Sequence, residues 1–172
     1  MNVTYAMERI APSWEEFCAL AHLHWEGTKS YRRHEPLDLR LQRYQTCNET
    51  GFLQFCAARD GTRLVGYLTF YTTHSMHSQR PLAVEDTFFL HPDYRRGRIA
   101  LRMLQFVEAQ CRMWGAEELL CSCEMENASG IKRLLEFLDY EPVIVQYRKR
   151  LLPLPCADSA QPFLTEDQHV RS

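Results

Sequence analysis

The chain has 172 residues, 45% of them hydrophobic and 24% charged, with a net charge of −2. That is the make-up of one ordinary globular domain, able to bury about 70% of its extended-chain surface. The acidic balance supplies no general field for nucleic acid, and no run approaches the ~18 apolar residues of a membrane span.

Val3 to Ile10 alternates loosely and predicts a first strand. Ser13 and Glu16 have the spacing of a capping box ahead of Trp14, Phe17, Cys18, Ala21 and Trp25, which recur at helical intervals until Gly27. A polar stretch, GTKSYRRHEP, leads to a second helix around Leu37 to Thr46. Phe52 to Ala58 and Leu64 to Thr73 are strand-like, joined by a turn at Asp60-Gly61, and Leu82 to Leu90 is a further strand with Glu85 and Asp86 in its middle. From Ala100, the residues Met103, Leu104, Val107, Cys111 and Trp114 give a helix one apolar face, and Gly115 suits its end. Leu119 to Cys123 predicts a short strand, Asn127 to Leu138 a last helix, and Val143 to Tyr147 a last strand. The order is β-α-α-β-β-β-α-β-α-β, a mixed α/β domain over residues 1–150 with a proline-bearing extension at 151–172.

The seven cysteines are scattered and odd in number, and MNVTYAMERIAPSWEE lacks a basic start followed by an apolar run. No secretory leader is therefore expected, and free thiols in a reducing cytoplasm fit best. Cys121 and Cys123 share a strand face with no second pair at zinc-finger spacing. His74 and His77 lie in a loop, and with His22 and His24 they too lack a fixed ligand geometry, so no metal is expected.

Positive charge is concentrated in one place. HPDYRRGRIALRML sets Arg95, Arg96 and Arg98 around Gly97 at the mouth of the predicted helix. The free N–H groups of a helix start and its dipole favour an anion, and arginines there add charge-assisted contacts. The alternative is a solvated turn.

The strand ending Leu90-His91-Pro92-Asp93-Tyr94, with Arg95 leading and Ala100 as the closing small residue, resembles the GNAT superfamily of N-acetyltransferases. Asn127 and Leu138-Asp139-Tyr140 extend the resemblance, which covers roughly residues 1 to 150. It implies a GNAT-like mixed central sheet, splayed at the cofactor site, and acetyl-CoA as cosubstrate. Arg95, Arg96, Gly97, Arg98, Ile99, Ala100 and Asn127 are the implied contacts to coenzyme A, and backbone groups of Phe89 and Leu90 would pair with its pantetheine arm. The implied activity is direct acetyl transfer to an amine acceptor in a ternary complex, with a homodimer left open. Glu85 is the first candidate base, Asp86 its rival on the opposite face, and the Leu90 N–H the oxyanion donor. Two departures stand out. Arg98 occupies the signature's first glycine position, with Gly97 one place early, and Leu134 and Leu135 occupy the region of the family's usual acid, a Tyr. Tyr140 is a reachable substitute whose place matches a core aromatic. These departures keep open a catalytically weak acyl-CoA-binding regulatory or scaffold module. In GTKSYRRHEP, where the resemblance places the acceptor pocket, Tyr31, Arg32, Arg33 and His34 hint at a polar or acidic acceptor.

Overall fold

A computed structural model describes residues 2–27, 35–123, 128–147 and 149. In chain order the elements are β1 (Val3–Met7), α1 (Trp14–Gly27), α2 (Leu41–Glu49), β2 (Leu53–Asp60), β3 (Arg63–His74), β4 (Pro81–Leu90), α3 (Ile99–Met113), β5 (Glu118–Leu120) and α4 (Ala128–Phe137). The five strands form one sheet in sequential order. The first four are antiparallel neighbours, and β5 joins β4 in parallel. The mixed α/β sheet flanked by helices expected from the sequence is present. Among the described residues no helix is long and apolar enough to cross a membrane.

Strand alternation divides the core into two layers. One packs Cys56, Ala58, Leu68, Phe70 and Leu90 against the α3 residues Met103, Leu104, Val107 and Cys111. The other packs Phe55, Ala57, Tyr67 and Phe89 against Phe17, Leu20 and Ala21 of α1. Neighbouring residues Phe89 and Leu90 thus point into different layers, as a strand requires.

Ser13 and Glu16 do not form the expected capping box. The Ser13 hydroxyl donates to Glu8 and accepts from Arg59, while Glu16 accepts from the Leu64 N–H at 2.8 Å and from Arg59. Arg59 also grips both Glu8 oxygens. A charged partner brought in by β2 outcompetes the local helix-end bond.

The chain divides into two compact units, Met1–Tyr140 and Glu141–Ser172. In the second, the strand expected at Val143 to Tyr147 is absent: these residues carry no regular structure. Val143, Ile144, Val145 and Tyr147 are all exposed. A β-branched run is a strand only when a neighbour completes its hydrogen bonds.

Gly66 sits opposite Leu90 in the pairing of β3 with β4. A Cβ there would collide with the Leu90 side chain and lie 2.9 Å from the Phe89 carbonyl oxygen. Gly66→Ala is expected to destabilise the fold by about 1–3 kcal/mol, because a backbone atom has to move. Chemical denaturation checks this, and an unchanged midpoint would mean that β4 yields freely.

Candidate active site

The site is built where β4 ends and α3 begins. Pro92, Asp93 and Tyr94 make a single tight turn, held by the Tyr94 N–H bonded to the His91 carbonyl at 2.8 Å and the Tyr94 hydroxyl bonded to Asp60 at 2.9 Å. Gly97 then adopts φ +67°, a left-handed conformation that costs a residue with a Cβ roughly 1 kcal/mol or more. Arg98 follows with φ −110°, so the displaced glycine absorbs the turn and the arginine does not have to. The Tyr5 hydroxyl pins the far side by donating to the Ile99 carbonyl at 3.1 Å.

The first amide of this region to donate within α3 is that of Arg102, to the Arg98 carbonyl at 2.9 Å. The N–H groups of residues 96–101 bond to no acceptor among the described residues, and no side chain caps the helix. Arg96 and Arg98 are exposed and make no hydrogen bond or ion pair with any described residue. Arg95 differs from them. Its Nε donates to the Leu90 carbonyl at 2.8 Å and its guanidinium lies 5.0 Å from the Phe89 ring centre, so it clamps the strand end.

Beside this turn the sheet opens. β5 pairs with β4 only at Leu82, Ala83 and Val84. The His91 N–H bonds to the Val65 carbonyl, and hydrogen-bonded pairs alternate along an antiparallel ladder. Phe89 is therefore bonded to Tyr67 through its own backbone, while the backbone groups of Phe88 and Leu90 point away from β3 into the opening. This corrects the expectation for Phe89: among the described residues the unbonded groups are the Phe88 N–H and carbonyl and the Leu90 N–H, the Leu90 carbonyl being taken by Arg95, and Phe89 contributes its ring to the α1 layer.

The register between β3 and β4 shifts at Thr69 and Phe70, which leaves Asp86 as an extra residue between Glu85 and Thr87. This bulge separates the two carboxylates. Glu85 accepts from the Ser122 N–H at 2.9 Å, across the opening just past β5. Asp86 faces the α1 layer, where it accepts from the Thr69 hydroxyl at 3.1 Å and the Tyr71 hydroxyl at 2.9 Å. Thr69 spends its one proton on Asp86, so Thr87 donates to Thr69. Nearby, His24 stacks on Phe89 with ring centres 4.9 Å apart, and its Nδ1 lies 3.1 Å from the Tyr67 hydroxyl. Burial, with smaller contributions from Asp86 and neighbouring phenols, holds the Tyr44, Tyr67 and Tyr71 hydroxyls above the usual phenol range. They stay protonated donors. The sequence reading passed over these tyrosines, although positions 67, 69 and 71 share a strand face by simple alternation.

Tyr140 lies apart from this face. Its hydroxyl is buried near Cys121 and Glu108 without a well-formed hydrogen bond, and burial pushes it far above the phenol range. Burial likewise pushes the Cys121 thiol up to about 12, so it is no ready nucleophile. Leu135 fills the core on α4. Tyr140→Phe is expected to leave turnover within about threefold and to raise stability by up to about 1 kcal/mol, since it removes an unsatisfied buried group. Steady-state kinetics and thermal unfolding test this, and a ~100-fold loss of turnover would make Tyr140 a proton donor.

Asn127 and residues 28–34, including Tyr31, Arg32, Arg33 and His34, lie outside the described residues. No group of three potential metal ligands occurs among the described residues.

The fold is shared with solved structures. The ribosomal-protein-alanine N-acetyltransferase from Brucella melitensis biovar Abortus 2308 superposes with a TM-score of 0.67 at 17% identity, covering 88% of this chain and 100% of that one. The aminoglycoside acetyltransferase meta-AAC0020, from an uncultured soil metagenomic sample and bound to sisomicin, gives 0.71 at 15% identity, covering 88% and 96%. AAC(6')-Iy, in complex with the bisubstrate analog CoA-S-monomethyl-acetylneamine, gives 0.68 at 16% identity, covering 87% and 99%. No curated relative matches the sequence itself. The sequence profile of the Acetyltransferase (GNAT) family matches residues 17–137. That span contains both core layers, the bulged β4 and the uncapped start of α3, and the chain belongs to the GNAT family of acetyltransferase enzymes.

Proposed function

We propose that the protein is an acetyl-CoA-dependent N-acetyltransferase that moves an acetyl group directly to an amine in a ternary complex. The carrying observation is the row of N–H groups at residues 96–101 that bond to no acceptor among the described residues, set beside the opening between β4 and β5. The residues fit coenzyme A. Helix-start amides and two arginines without a partner among the described residues suit its phosphates, and the outward backbone groups of Phe88 with the Leu90 N–H suit an extended amide chain by strand-like pairing. When bound, acetyl-CoA supplies the activated acyl group. One neighbour, AAC(6')-Iy, holds a bisubstrate analog containing coenzyme A, which supports this reading.

In this reading the Leu90 N–H donates to the acyl oxygen. Glu85 takes a proton from the incoming ammonium through water, because a lysine-like amine with pKa ~10.4 arrives mostly charged at neutral pH. No described side chain is assigned as the acid. Cys18, Cys47, Cys56, Cys111 and Cys121 are free thiols, which supports a cytoplasmic location.

A coenzyme A titration followed by thiol release from acetyl-CoA over a panel of amines tests the proposal. Binding with amine-dependent release is expected. Binding without release would favour the regulatory module, to which Leu134 and Leu135 in the region of the family's Tyr, and the displaced glycine, point. Absence of binding would overturn both.

A further inference from the structure

We propose that Asp86 and its surrounding tyrosines recognise a second cationic amine on the acceptor, so that the acceptor is an elongated diamine or polyamine rather than a monoamine. This rests on the amine-acetylating reading above and names its substrate class.

The bulge turns Asp86 out on the α1 face, where it is exposed. Its carboxylate is held by two neutral donors, the Thr69 and Tyr71 hydroxyls, and makes no ion pair with any described residue. A fixed, exposed carboxylate with no cation among the described residues is half of an ion pair. Its surroundings are aromatic. Tyr71 stacks on the exposed Phe52 ring at 4.9 Å, and Tyr44 and Tyr67 are close enough to feel the charge of Asp86. A carboxylate among aromatic faces suits an alkylammonium, which gains both Coulomb and cation–π attraction, whereas an acidic acceptor would be repelled. Asp86 therefore points away from the acidic acceptor hinted at by the arginines of residues 28–34.

Asp86 precedes Leu90 by four positions, roughly 13 Å along a strand. An extended chain anchored by one ammonium at Asp86 can carry its other amine toward the opening beside Leu90.

Calorimetric titration of the full chain with diaminooctane and with octylamine isolates the second cation. The diamine is expected to bind about tenfold more tightly. Asp86→Asn should abolish that preference, while Asp86→Glu should retain part of it. Equal binding of both amines by the wild type, or a preference that survives Asp86→Asn, would overturn the proposal. Because the readout is binding, the two proposals can fail separately. A protein that prefers the diamine but acetylates neither amine contradicts only the proposed activity, and one that acetylates both while binding them equally contradicts only the diamine assignment.

Discussion

Reversing Arg96 and Arg98 to Glu together is expected to weaken coenzyme A binding by about 3 kcal/mol, roughly two orders of magnitude in Kd. These two are chosen because Arg95 is occupied by the Leu90 carbonyl and the Phe89 ring, so its replacement would disturb the strand end as well. The unliganded protein should respond in the opposite sense. A cation at a helix start is unfavourable to the helix by about 0.3–1 kcal/mol, and a carboxylate there is favourable. The double variant should therefore unfold at an equal or slightly higher temperature while binding more weakly. A solvated turn predicts no loss of affinity, and a purely structural role predicts a loss of stability. Calorimetric titration beside thermal unfolding separates the three, and the affinity difference should shrink as salt rises.

That junction was legible in the sequence because its determinants are local. Pro92 shapes the turn, Gly97 supplies the positive φ, and Met103, Leu104, Val107 and Cys111 bury the face of α3 that their spacing marks out. Ser13 and Glu16 have an equally local pattern, yet they bond to Arg59, which is distant in sequence. Val143 to Tyr147 has strand propensity but no ladder, and propensity cannot supply a neighbour. The backbone pairing of Phe89 and the exposure of Asp86 depend on the register of β3 against β4, which no single segment encodes. Spacing could assign Glu85 and Asp86 to opposite faces. It could not show that one is tied to Ser122 and the other set among tyrosines.

Glu85→Gln is expected to lower turnover by ~10²-fold or more at neutral pH while leaving coenzyme A affinity intact. The substitution is conservative where structure is concerned. Glu85 accepts the Ser122 N–H at 2.9 Å, and a glutamine carbonyl can accept the same bond, so the end of β5 should stay tied. What disappears is the negative charge and the ability to hold a proton. The residue is five positions from Leu90, roughly 16 Å along the strand, so a base here works through water or on an acceptor lying along β4. Its value depends on the acceptor arriving charged. The deficit should therefore shrink as pH rises toward the amine's own pKa of ~10.4, where the acceptor needs no base. Asp86→Asn should give a different signature, a higher KM for a diamine rather than a lower kcat, because that carboxylate holds the acceptor away from the reacting amine. Were Asp86→Asn to lose kcat while Glu85→Gln kept it, the base would lie on the α1 face of the bulge. Were Glu85→Gln fully active and Asp86→Asn changed only in KM, Glu85 would serve to tie the end of β5, and proton removal would fall to water alone.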